Sequence, residues 1–96
     1  MITSPTFAGR RYAVLGLARS GLATVRALAA SGAYVVGWDT DPEARARAAA
    51  IDGVIVHDIA GLSLDGAAGL VVSPGVPLNT HPLAARAREA GVPVIG

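Results

Sequence analysis

The chain has 96 residues, 52% hydrophobic and 16% charged, with a net charge of +1 and no cysteine. That composition excludes intrinsic disorder, allows a single domain, and excludes disulfide frameworks, thiol nucleophiles and thiolate metal sites. It also gives no electrostatic case for nucleic acid or a membrane surface, and no apolar run approaches the roughly 20 residues of a membrane span.

Residues 1–11 carry no apolar stretch of the kind that marks a secretory signal. A first apolar run follows, Tyr12-Ala13-Val14-Leu15-Gly16. It is nearly continuous rather than alternating, the pattern of a strand buried on both faces of a parallel sheet. It leads into Gly16-Leu17-Ala18-Arg19-Ser20-Gly21, a G-x-G-x-x-G register with alanine at the middle position. Gly16 supplies a tight turn and Gly21 lets the next helix lie close to the strand. Ala18 puts a methyl where a dinucleotide pyrophosphate comes closest, and Ser20 adds a hydroxyl near helix amides that favour anions. Such a degenerate motif also serves as a plain strand-to-helix turn.

A helix is predicted over 20–31, with Leu22, Val25, Leu28 and Ala29 on one stripe, Ser20 as N-cap and Gly32 just past its end. The second strand, Tyr34-Val35-Val36-Gly37-Trp38, ends at Asp39. That carboxylate follows the first glycine at about the spacing of the ribose-binding acid in NAD domains, and it reads equally as a turn residue. Asp41 is a good N-cap, Pro42 fits N1 and Glu43 suits the first turn of a helix over 42–50.

Val54-Ile55-Val56 is the third strand. Residues 59–67 read as one helical turn or a loop. Leu70-Val71-Val72 is the fourth strand and leads into Ser73-Pro74-Gly75-Val76-Pro77, a stiff loop able to present backbone amides. A helix over 81–90, with Thr80 as N-cap and Gly91 past its end, precedes the final run Val92-Pro93-Val94-Ile95. His57 and His81 have no clustered partners that would suggest a metal, and no Ser-His-Asp set can be assembled.

The order β-α-β-α-β-(short)-β-α-β predicts an α/β fold, a Rossmann-like doubly wound parallel sheet of five strands, with ligands at the carboxyl ends of the strands. No helix follows the last strand, so the chain is expected to be a domain of a longer protein. All eight basic residues are arginine. A triphosphate P-loop needs a lysine, so these residues cannot provide one. From the residues alone, Gly16, Gly21 and Asp39 favour an NAD(P)-binding Rossmann domain of an oxidoreductase or of a nucleotide-sensing regulator, and a non-binding α/β interaction module stays open.

Three segments together carry a resemblance. V-L-G-L-A-R-S-G-L-A, G-W-D-T and V-V-S-P-G-V-P-L-N-T-H-P-L-A-A-R-A-R-E-A-G-V-P-V-I-G resemble the N-terminal domain of the UDP-N-acetylmuramoyl-L-alanine:D-glutamate ligases, the MurD family. The resemblance covers nearly all of the chain, and its fourth-strand segment is the most specific part. It implies a cytoplasmic bacterial enzyme of peptidoglycan precursor synthesis with three domains. The first holds the uridine diphosphate end of UDP-N-acetylmuramoyl-L-alanine, the second binds ATP and magnesium, and the third helps bind D-glutamate. The implied reaction passes through an acyl phosphate of the substrate carboxylate to an amide, ADP and phosphate.

Carried onto this sequence, the resemblance places Arg19 and Ser20 at the diphosphate, Asp39 and Thr40 at the uracil, and Gly75 as a backbone contact. Gly16, Ala18, Gly21, Ser73 and Pro74 shape the loops. Asp41 stands where some members use arginine against the base, and Ala18 replaces the usual glycine. The 96 residues alone are expected to have no ligase activity, and neither ATP nor Mg2+ is expected to bind to them. The remaining ligase domains would act in cis.

Overall fold

The computed structural model describes residues 7–73 and 82–95. Five strands, β1 (Arg11–Leu15), β2 (Tyr34–Trp38), β3 (Val54–Val56), β4 (Gly69–Val72) and β5 (Val94–Ile95), form one sheet in the order β3-β2-β1-β4-β5. Every pairing is parallel. Three helices, α1 (Arg19–Ala30), α2 (Pro42–Ala49) and α3 (Pro82–Glu89), and a 3₁₀ turn at Ile59–Gly61 make the crossovers. The architecture is the α/β Rossmann-like sheet expected from the sequence.

Alternation along β1 builds two cores. Tyr12 and Val14 face α1 and α2, packing with Val25, Leu28, Val35, Ala44 and Ala48. Ala13 and Leu15 face the other way, with Ile59, Leu64, Leu70, Leu83 and Ala87. The alanines of α2 and α3 let those helices lie close to the strands, and Ala48 and Ala87 are fully buried.

Register fixes the functional end of the sheet. Leu15 is level with Trp38 on one side and with Val72 on the other. β1, β2 and β4 therefore end together, and the turns that follow them share one rim.

Four details depart from the sequence expectations. First, α1 begins at Arg19, with Ala18 as N-cap and no side-chain capping bond. The Leu22 amide donates to the Ala18 carbonyl at 2.8 Å, placing the cap two residues earlier than expected, so Ser20 is inside the helix and is not its cap.

Second, not every strand is buried on both faces. The segment after β3 is a single 3₁₀ turn capped by Asp58, whose carboxylate accepts from the Ala60 amide at 3.0 Å. That turn is too short to cover the β2–β3 side of its face, so Tyr34 and Ile55 stay exposed. Third, β5 is confined to Val94–Ile95. Pro93 has no N–H to give, and only its carbonyl joins the ladder, accepting from Leu70 at 2.9 Å. Fourth, the first and fourth strands each start one residue earlier than read, at Arg11 and Gly69. The proposed cap Thr80 lies outside the described residues.

Candidate functional site

In an open α/β sheet, ligands bind outside the carboxyl ends of the strands, where the strand order reverses. Here the reversal falls between β1 and β4, because the chain builds β1, β2 and β3 in one direction and then crosses to β4. Three turns meet at this rim: Gly16-Leu17-Ala18 after β1, Asp39-Thr40-Asp41 after β2, and Ser73 after β4.

Hydrogen bonds tie the three turns together. The Gly16 amide donates to the Trp38 carbonyl at 2.8 Å, and the Ser73 amide to the Leu15 carbonyl at 3.0 Å. The buried Ser73 hydroxyl donates to the Gly16 carbonyl at 2.8 Å. The Leu17 amide donates to Asp39 Oδ2 at 2.7 Å, while Asp39 Oδ1 accepts from the Asp41 amide at 2.9 Å. Gly16 turns the chain with φ of 92°, a conformation that glycine adopts without strain.

Two of the helix N-termini at this rim, those of α1 and α2, differ. Asp41 caps α2, accepting from the Glu43 amide at 3.0 Å, and Glu43 adds an acid to the first turn. α1 has neither a side-chain cap nor an acidic residue in its first turn. Its first amides have no intrahelical acceptor, and they carry the positive end of the helix dipole.

Beside α1's first turn lies a cleft of about 630 Å³, lined among others by Leu17, Arg19, Arg26, Asp39, Asp41 and Arg47. A shallower depression of about 430 Å³, with Arg10, Arg11 and Tyr34, lies at the amino ends of the strands, away from the rim where the turns meet.

Of the residues singled out in the sequence, Gly16, Ala18, Arg19, Ser20, Gly21, Asp39, Thr40 and Ser73 gather at or beside this rim. Arg19 and Asp39 line the cleft. Ser20 is exposed, and its carbonyl accepts from the Thr24 hydroxyl at 3.0 Å. Thr40 is exposed one residue beyond Asp39. Pro74 and Gly75 lie outside the described residues. Among the described residues there is no cluster of three His, Cys, Asp or Glu able to hold a metal, and no helix long and apolar enough to cross a membrane.

Sequence reasoning missed three arginines. Arg26 and Arg47 line the cleft from α1 and α2. Arg45 stacks over the Trp38 ring at 4.7 Å and donates to the carbonyls of Asp39 at 3.0 Å and Thr40 at 3.3 Å. A signal was present for Arg45: it stands one turn after the Asp41 cap, and helical side chains lean toward the N-terminus, here toward the rim.

Two solved structures share the fold at 22% identity, a level that speaks to architecture alone. They are D-lactate dehydrogenase from Escherichia coli (TM-score 0.69, 93% of this chain and 28% of that one) and a dipicolinate synthase chain from Bacillus halodurans (TM-score 0.66, 94% and 38%). Sequence relatives are closer. UDP-N-acetylmuramoylalanine–D-glutamate ligases from Sphingopyxis alaskensis, Novosphingobium aromaticivorans and Zymomonas mobilis are 66%, 59% and 52% identical across the whole chain. The chain spans only 22%, 21% and 23% of those relatives' lengths. The model of the Mur ligase MurD-like N-terminal domain matches residues 10–96, and the chain belongs to that family.

Proposed function

We propose that this chain is the nucleotide-holding domain of a UDP-N-acetylmuramoylalanine–D-glutamate ligase, a cytoplasmic enzyme of peptidoglycan precursor synthesis. In this reading it grips the uridine diphosphate end of UDP-N-acetylmuramoyl-L-alanine while further domains in cis perform the chemistry. The observation that carries the reading is the uncapped first turn of α1 beside a cleft lined by Arg19. Peptide amides and a guanidinium there suit an anionic diphosphate. The high identity to ligases of that name supports the choice of a uridine nucleotide over a dinucleotide.

Arg19 and Ser20 meet the diphosphate, Asp39 and Thr40 face the uracil, and Gly75 contributes backbone. ATP and Mg2+ supply the activation of the substrate carboxylate. The residues present do not fit them: the chain has no lysine for a phosphate loop, and among the described residues no three acidic or histidine side chains cluster for a metal. Both are therefore assigned to domains outside these 96 residues.

Titration of the chain with UDP and separately with NAD, followed by amide NMR, tests the reading. Saturable shifts at Arg19, Ser20 and Asp39 with UDP, and none with NAD, are expected. The reverse result would transfer the domain to the oxidoreductases that share its fold.

A further inference from the structure

We infer that Arg45 is the positioning residue of this rim, holding the β2 turn in the shape that lets Asp39 tether the β1 turn. The reasoning starts from a conflict. Arg45 sits in the first turns of α2, where the helix dipole disfavours a cation. The protein offsets this by giving its guanidinium three partners. The Trp38 ring lies beneath it at 4.7 Å, and the carbonyls of Asp39 and Thr40 accept from the same Nη1 at 3.0 and 3.3 Å.

Those partners are consecutive residues, the last of β2 and the first two of the turn. The planar guanidinium thus pins the stretch of backbone that carries the Asp39 side chain. That carboxylate in turn accepts from Leu17 at 2.7 Å and from Asp41 at 2.9 Å. A continuous path therefore runs from α2 through the β2 turn to the β1 turn and so to the first turn of α1. A lysine at position 45 would keep the charge but offer neither the flat face that stacks on Trp38 nor the same donor geometry.

The test has two arms, and only the second rests on the nucleotide reading. In the ligand-free chain, hydrogen exchange at the Leu17 amide is measured for the parent, Arg45→Gln and Arg45→Lys. Exchange about tenfold faster in Arg45→Gln is expected, an intermediate rate in Arg45→Lys, and unchanged rates at core amides such as Val14 and Leu70. Emission from Trp38, the single tryptophan of the chain, should shift in Arg45→Gln.

The second arm measures UDP affinity, expected to weaken about tenfold in Arg45→Gln with partial recovery in Arg45→Lys. Leu17 exchange equal to the parent's in Arg45→Gln would overturn the inference whatever UDP does, as would core amides accelerating in step with Leu17. Faster Leu17 exchange in a chain whose parent form binds no UDP would leave Arg45 as the positioning residue and remove the nucleotide reading instead.

Discussion

Gly21 lies so close to Gly16 that a Cβ placed on it would stand 1.8 Å from the Gly16 carbonyl oxygen and 2.8 Å from the Ser73 hydroxyl. The obstacle is backbone, which has nowhere to go without moving β1. This approach is what brings the first turn of α1 over the carboxyl rim, so packing and site geometry rest on the same missing methyl.

Gly21→Ala is therefore expected to destabilise the fold by about 3 kcal/mol or more, the upper end of overpacking costs. Gly37→Ala provides the contrast. Its added methyl meets Leu17 Cδ2 at 3.0 Å, the far end of a buried but flexible side chain that need give by only a few tenths of an ångström, rather than backbone. Urea denaturation midpoints should rank the parent above Gly37→Ala, and Gly37→Ala well above Gly21→Ala. Equal midpoints for the two variants would contradict the close strand–helix contact.

Ser73 makes the link between β4 and the first turn, and its hydroxyl is buried against the Gly16 carbonyl. Ser73→Ala keeps the Cβ and removes only the donor, stranding that carbonyl. A loss of about 1–3 kcal/mol is expected, the cost of a buried unsatisfied acceptor. Denaturation of the variant measures it, and amide exchange should rise first at residues adjoining Gly16.

How much of this could be read from the chain depends on how local the cause is. The strands, the helices and their order follow from continuous apolar runs, an Asp-Pro helix start and glycines at helix ends, all short-range signals. Asp41 capping α2 and Gly32 at φ 83° are instances where local chemistry decided the outcome. The start of α1 was misread because Ser20 looked like a cap, whereas the turn is closed by backbone alone from Leu22 to Ala18. The exposure of Ile55 was not visible either, because it depends on how little of the sheet a single 3₁₀ turn covers. At the site, the rim residues were legible as strand-end motifs. The bonds between them, Ser73 to Gly16 and Leu17 to Asp39, join residues 57 and 22 positions apart and carry no local mark.

The cap on α2 gives a milder prediction. Asp41→Ala removes the acceptor for the Glu43 amide and is expected to cost about 1 kcal/mol, as other cap deletions do. Asp41→Asn or Asp41→Ser should recover most of it. A midpoint unchanged in Asp41→Ala would mean that the exposed helix end is satisfied by water just as well.

Ser20 and Asp39 should separate the two halves of the proposed ligand. Ser20→Ala is expected to weaken UDP and inorganic diphosphate alike, by about 1–3 kcal/mol if its hydroxyl bonds an anionic oxygen. Asp39 acts in two ways at once in this reading, since the residue lines the cleft and its carboxylate accepts from Leu17 and Asp41. Asp39→Ala should therefore loosen the ligand-free turn, seen as faster exchange at Leu17, and should also weaken UDP more than diphosphate. Calorimetric titration of both ligands into both variants distinguishes the effects. A base-reading carboxylate predicts a loss for UDP beyond the loss for diphosphate, whereas a carboxylate that only shapes the turn lowers the two affinities equally.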